Sequence, residues 1–329
     1  MQNRVIIQTL FYRLRCYKRS FLEKKSCNKF IIKVFWTTFF NCSPKTAETA
    51  TSILDTLVST FSTILSSPKH KKQEIKEEMA AAVTEWGYDD EDTCGPCNWP
   101  GVPKNGTQQS PIDLKLSKMK AYTLADPIKF VNYNKPLNGE FVNTGYSVQF
   151  VPDSRMDVPE IYGGMLDQSY RFIQYHYHWA QNDNEGSEHT LGGLSYPAEL
   201  HLVHQGVDDP SKLAVLGVFL TIGKDDSALS AEEAIFGKIC ESGSKAEYRG
   251  QVLEKKLPEN LCSFARYQGS LTTPPCSECV TWTVFTDPIS ITREQLSALR
   301  QIKDCRGKVH RKNYRPVQRL NGRQVLLTC

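Results

Sequence analysis

The chain has 329 residues and a formal net charge of +4, long enough for one large domain or two ordinary ones and too nearly neutral to carry a basic footprint spread over a folded surface. Nucleic acid is thereby excluded as a leading partner. No run approaches the roughly 20 apolar residues that a membrane-spanning helix needs, since the best stretch, residues 30–40, is short and interrupted by Lys33. The eleven cysteines are scattered and odd in number, which does not read as a small disulfide framework.

Residues 1–80 are rich in Lys, Arg, Ser and Thr and contain no acidic residue before Glu23. That composition fits a targeting segment or a disordered extension. The charge run K-H-K-K-Q-E-I-K-E-E at 69–78 closes the region, and a single folded domain is expected over 81–329. From Trp86 onward, short runs of Val, Ile, Phe and Tyr are separated by clusters of Gly, Pro, Asn and Asp, the pattern of many short strands. Strands are predicted at 147–151, 170–179, 198–204, 213–222 and 279–285, with a helix over 292–302 behind Thr292 as its N-cap. No repeat of 20–50 residues is visible, which excludes a solenoid or propeller. The expected fold class is mixed α+β and sheet-dominated.

Within the second predicted strand, Q-Y-H-Y-H-W at 174–179 places His176 and His178 two residues apart. A strand sends residues i and i+2 to the same face, so the two imidazoles point together while Tyr175, Tyr177 and Trp179 supply apolar bulk behind them. The next strand, A-E-L-H-L-V-H at 198–204, offers His201 and Glu199 on one face and Leu200 and Leu202 on the other. Three neutral imidazoles with a fourth position left to water are a catalytic zinc arrangement, because structural zinc is closed by four protein ligands. Gln174 and Glu199 each precede a candidate ligand by two residues, where they can fix its tautomer by accepting a hydrogen bond. The pattern defines a metal site without naming a reaction.

The motifs as a set resemble the alpha-class carbonic anhydrases over nearly the whole span from Trp86 to Arg323. They are W-G-Y at 86–88, Q-S-P-I-D-L at 109–114, Q-Y-H-Y-H-W at 174–179, G-S-E-H-T at 186–190, A-E-L-H-L-V-H at 198–204, G-S-L-T-T-P-P at 269–275, E-C-V-T-W at 278–282 and N-Y-R-P-V-Q at 313–318. The resemblance implies a mostly antiparallel sheet of about ten strands, and reversible hydration of carbon dioxide to bicarbonate by attack of zinc-bound hydroxide. It implies His176, His178 and His201 as zinc ligands, with Thr272 accepting a hydrogen bond from the hydroxide and donating its own proton to Glu188. Thr273 stands beside Thr272. The resemblance further implies that Val203, Val215, Leu271, Val280 and Trp282 line an apolar wall for carbon dioxide, and that Asn313 joins Gln174 and Glu199 in the shell behind the ligands.

One position departs from the fastest members of the family. Where they carry a histidine that passes protons to buffer, N-T-G-Y-S-V-Q places Tyr146. A phenol with an ordinary pKa near ~10 is poorly matched to proton transfer around neutrality, so slow proton exit is expected. The C-x-x-C of Cys94 and Cys97 lacks the βαβ setting of a redox motif. Cys276 stands where extracellular members carry half of a disulfide, and its usual partner is missing. A monomer in the cytoplasm is expected, with mitochondrial or secreted placement as alternatives. The competing function is a catalytically silent relative acting as a binding module, which typically lacks one or more of the zinc histidines.

Overall fold

A computed structural model describes residues 86–89, 94–100, 106–225 and 227–328. The expected extension, its boundary at residues 80 and 81, and the apolar stretch at 30–40 lie outside the described residues. Among the described residues no helix is long and apolar enough to cross a membrane.

The strands, in chain order, are β1 (Asp113–Leu114), β2 (Lys120–Tyr122), β3 (Ile128–Val131), β4 (Leu137–Asn143), β5 (Val148–Pro152), β6 (Glu160–Gly163), β7 (Tyr170–Trp179), β8 (Thr190–Leu191), β9 (Ala198–Gly206), β10 (Leu213–Ile222), β11 (Lys245–Gln251), β12 (Phe264–Gly269), β13 (Val280–Phe285), β14 (Ile289–Ile291) and β15 (Leu326–Thr328). Among the described residues two short α-helices, α1 (Ser230–Phe236) and α2 (Arg293–Leu299), accompany them. Thirteen strands form one sheet, ten of them in the continuous order β11-β4-β5-β7-β9-β10-β13-β12-β15-β2. The expected ten strands are thus this path, and β3, β6 and β14 attach beside it. Only the β10–β13, β10–β14 and β15–β2 pairings in this sheet are parallel.

The predicted strands at 170–179 and 213–222 coincide with β7 and β10, and the others shift by one or two residues at their ends. The predicted helix is shorter than 292–302. Its start is fixed by a capping box, in which Thr292 Oγ1 accepts from the Gln295 backbone N–H at 3.2 Å and the Gln295 side chain accepts from the Thr292 N–H. Its end tightens into i→i+3 turns, with the Gln301 and Ile302 N–H groups donating to the Ala298 and Leu299 carbonyls.

The centre of the sheet is buried on both faces, which is why β10 reads L-A-V-L-G-V-F-L with almost no polar interruption. The rear face carries the larger apolar cluster, including Phe172, Tyr175, Tyr177, Trp179, Leu200, Leu202, Leu216 and Val218. A polar knot sits in it. The Tyr175 and Tyr177 hydroxyls donate to Glu232 Oε1 at 2.6 and 2.8 Å, and the buried Lys256 ammonium meets both Glu232 and the Ala228 carbonyl. The front face carries the smaller cluster of Val203, Val215, Val280, Trp282 and neighbours.

Strict alternation does not hold along all of β7. Phe172 pairs with His204 and Gln174 with Val203, so a bulge lies between them. An extra residue reverses the parity of everything after it. Tyr170 and Phe172 therefore share the rear face with Tyr175 and Tyr177, and His176 and His178 come to the front.

Candidate metal centre

β7 and β9 run antiparallel with His176 directly opposite His201. His178 lies two residues along β7 on the same face, so three imidazoles converge from two neighbouring strands. Their ring centroids are 5.0, 5.3 and 4.6 Å apart for the pairs 176–178, 176–201 and 178–201. One ring nitrogen from each lies within 4.8 Å of the other two.

Each imidazole has its second nitrogen committed to an acceptor. His176 Nδ1 donates to Gln174 Oε1 at 2.9 Å, His178 Nδ1 to the Asn313 carbonyl at 2.7 Å, and His201 Nε2 to Glu199 Oε1 at 2.8 Å. Donation at one nitrogen leaves a lone pair at the other. The tautomers are thereby set, and His176 Nε2, His178 Nε2 and His201 Nδ1 are left as donors to a metal. His178 Nε2 is buried and has no hydrogen-bond partner, a costly state for a polar atom unless a ligand completes it.

The protonation states agree with this. Burial, reinforced by the neighbouring imidazoles, holds His176 well below the ordinary histidine range and His178 at about 3. Burial also lowers His201, against the opposing pull of Glu199. All three rings are neutral at physiological pH, as metal ligation requires. The residues present fit a divalent metal with nitrogen preference.

A second cluster, His189, Glu199 and His201, also brings ligand-type atoms together. Its atoms are already spent on one another. Glu199 Oε1 accepts from His189 Nδ1 at 2.7 Å as well as from His201, Glu199 Oε2 accepts from the His189 backbone N–H at 2.8 Å, and His189 Nε2 lies 2.7 Å from the Tyr267 hydroxyl. Burial pushes the Glu199 carboxyl up, but the two histidines outweigh it and hold the group below the usual carboxylate range. This cluster is a hydrogen-bond scaffold for His201.

Glu188 and Thr272 are brought to the same place. Both are buried, the Thr272 hydroxyl acts on the Glu188 carboxyl, and Glu188 Oε2 has no hydrogen-bond partner. Glu188 Oε1 also accepts from the Arg315 N–H at 2.8 Å and lies 3.5 Å from His178 Nδ1. Burial raises the Glu188 pKa, with the Thr272 hydroxyl and the Arg315 N–H pulling the other way. Val203, Val215, Val280 and Trp282 lie buried in one cluster with Leu271 packed against it. The Trp282 ring stands edge-on to His201 at 4.8 Å and its Nε1 donates to the Ser270 carbonyl at 3.0 Å. Thr273, next in sequence to Thr272, is half-buried.

Tyr146 is held by an aromatic contact. Its ring stacks on Trp86 with centroids 4.0 Å apart and planes 4° from parallel, in an aromatic cluster with Tyr88, Trp99 and the buried Cys276.

Some positioning residues were not assigned from the sequence. Arg315 reaches Gln109 Oε1 at 2.9 Å and the Ser110 carbonyl at 2.8 Å while its N–H holds Glu188. Ser110 Oγ in turn lies 2.9 Å from the Tyr267 hydroxyl and accepts from the Ser270 N–H at 3.0 Å. Both residues stand inside motifs singled out in the sequence, Q-S-P and N-Y-R-P, and that was the available signal. Asn313 does more than back a ligand. Its side chain donates to the Tyr146 and Tyr177 carbonyls at 3.0 and 3.1 Å and accepts from the Trp179 N–H at 2.6 Å.

The class so defined is a sheet-built protein with a three-imidazole centre beside an apolar wall. The chain belongs to the carbonic anhydrase family, for the family model described as eukaryotic-type carbonic anhydrase matches residues 94–329. A Caenorhabditis elegans protein provisionally named carbonic anhydrase 3 is 56% identical over 241 residues, covering 73% of this chain and 96% of that one. Another, provisionally named carbonic anhydrase 5, is 40% identical over 73% of this chain and 80% of its own length. Mouse carbonic anhydrase 1 is 34% identical over 74% of this chain and 98% of its own. Membership makes the chain an enzyme of the lyase class whose reaction is carbon dioxide hydration.

Proposed function

We propose that the chain hydrates carbon dioxide reversibly with zinc held by His176 Nε2, His178 Nε2 and His201 Nδ1, and that its turnover is limited by proton exit. The observation that carries this reading is the set of three neutral imidazoles whose second nitrogens are all committed to acceptors, which leaves three convergent lone pairs. Zinc held there would lower the pKa of a water to about 7 and so supply a nucleophile at neutral pH.

The remaining roles belong to the chain's own residues. Thr272, by giving its proton to Glu188, would present only lone pairs to an oxygen nucleophile and so orient it, a gain by positioning. Val203, Val215, Leu271, Val280 and Trp282 hold a substrate that has no charge to grip, with Thr273 at its edge. Gln174, Glu199 and Asn313 fix the ligand tautomers, and their loss lowers metal affinity. The presence of all three histidines together with Glu188 and Thr272 favours the enzyme over a silent binding module.

Tyr146 is a poor proton carrier for two reasons. A phenol's ordinary pKa near ~10 is too high for relay around neutrality, and the stack on Trp86 occupies its ring. The catalytic unit acts as a monomer over residues 81–329, preceded by a separate extension. The cytoplasm is the compartment in this reading, a setting in which thiols such as Cys276 stay reduced.

Stopped-flow carbon dioxide hydration, with zinc content and aromatic-sulfonamide inhibition measured on the same preparation, tests the reading. Stoichiometric zinc and sulfonamide-sensitive turnover are expected, with turnover raised several-fold by imidazole buffer or by Tyr146→His. A protein without stoichiometric zinc belongs with the binding modules. Turnover indifferent to both imidazole and Tyr146→His removes the proton-exit limit.

A further inference from the structure

The rear face of the sheet holds a cation with nothing to balance it. Arg266, in the middle of β12, is 5% exposed, and its Nε, Nη1 and Nη2 atoms are all buried with no hydrogen-bond partner. Among the described residues no carboxylate forms an ion pair with it. Its guanidinium carbon lies 5.3 Å from the centroid of the Phe264 ring, which offers a weak cation–π contact and no hydrogen-bond acceptor. Burial lowers its pKa to about 10, with only the Tyr170 hydroxyl acting in the opposite direction, so the group stays charged at neutral pH.

The residue opposite Arg266 has the same deficit. In the β12–β13 register Arg266 faces Thr283, which is fully buried and whose Oγ1 is also without a partner. Directly paired residues on one face of a sheet have Cβ atoms about 5 Å apart, so the hydroxyl and the guanidinium start from adjacent points and point to the same side. On the other edge Arg266 pairs with Leu326 of β15, and Thr283 pairs with Leu216 of β10. Neither supplies a polar side chain. An isolated buried cation costs several kcal/mol. A guanidinium can only donate, and a threonine hydroxyl can donate as well, so the species that satisfies both is an acceptor carrying negative charge.

We propose that Arg266 and Thr283 form a binding site for one small monovalent inorganic anion, of halide or bicarbonate size, on the rear face of the sheet. The site lies on the face opposite the histidine triad and does not depend on the reaction proposed above. Water alone can complete hydrogen bonds to a guanidinium but leaves its charge unbalanced, whereas a compact anion does both.

Bromide identifies the occupant without relying on activity. Crystals of the full chain grown in sodium bromide are expected to show an anomalous difference peak within hydrogen-bond distance of the Arg266 guanidinium, and soaking in chloride or in bicarbonate then shows which ion displaces it. In solution, with the histidine site blocked by an aromatic sulfonamide and ionic strength held constant with gluconate, a tenfold rise in chloride or bicarbonate above the dissociation constant raises the unfolding midpoint by about 4 °C. Arg266→Met abolishes that response and Thr283→Val weakens it. No bromide peak at Arg266 overturns the proposal, even if the Arg266 variant fails to fold. So does a full anion response retained in Arg266→Met. A peak accompanied by no solution response marks an adventitious ion only and overturns it as well.

Discussion

On the front of β7, His176 and His178 stand neutral, each with one nitrogen given to an acceptor and one held open. On the rear of the same strand, Tyr175 and Tyr177 donate to a Glu232 already matched by Lys256. Neighbouring residues thus sit in two buried polar environments of opposite design. At the front the three ligand rings are neutral and can accept a dication, while behind them Glu232 and Lys256 have cancelled their charges against each other. Burial alone therefore does not mark a functional site. What separates these two environments is the convergence of three lone pairs at the front, with His178 Nε2 left without a partner.

The comparison breaks most visibly if a front ligand is removed. His178→Ala or His201→Ala is expected to lose stoichiometric zinc and at least a hundredfold of hydration activity, since the acidified water goes with the metal. Metal analysis and stopped-flow assay read both. A rear substitution is expected to act on stability instead. Glu232→Gln leaves the Lys256 ammonium buried beside a neutral amide and costs about 3–5 kcal/mol, read as a lower denaturation midpoint, while turnover per folded, zinc-loaded molecule is retained. Equal loss of activity per folded molecule in the rear variant would erase the distinction between the faces.

Gln174→Ala sharpens it at smaller scale. Without an acceptor for His176 Nδ1, zinc affinity falls about ten- to a hundredfold, measurable by chelator competition, with little change in the unfolding midpoint of the zinc-saturated protein. A last effect, read as a slope in pH, belongs again to the rear face. His204 is buried with Nε2 2.6 Å from the Tyr133 hydroxyl, and burial lowers its pKa to about 3. The unfolded chain takes up this proton near pH 6.5 and the folded chain does not. The stabilisation is therefore complete above about pH 6.5 and lost as pH falls toward 3, at up to about 1.4 kcal/mol per unit. Denaturant unfolding at several pH values should show this slope, reduced in His204→Gln.

The sequence made the strands and the ligands legible because both are local. Two-residue spacing put His176 beside His178 and placed Gln174 and Glu199 behind their ligands, and aromatic or apolar bulk marked β7 and β10. The bulge between Phe172 and Gln174 was invisible, because an inserted residue leaves composition unchanged and alters only parity. The partners that arrive from far along the chain were legible only as motifs. Arg315 meets Glu188 across a separation of 127 residues, and that meeting follows from topology, which no spacing encodes. Lys256 with Glu232 carried no motif at all. Arg266 lay outside the predicted strands, and its isolation emerged from what its register neighbours lack.

Asn313 bears on the order in which the protein can be made. His178 and the carbonyl that fixes its tautomer are 135 residues apart, and the same asparagine pins the backbone of Tyr146, Tyr177 and Trp179. A ribosome releases the ligand strands long before it releases this clasp. During synthesis the three imidazoles can be adjacent while His178 is still free to rotate, so high-affinity metal capture becomes a late event that accompanies the docking of the C-terminal segment.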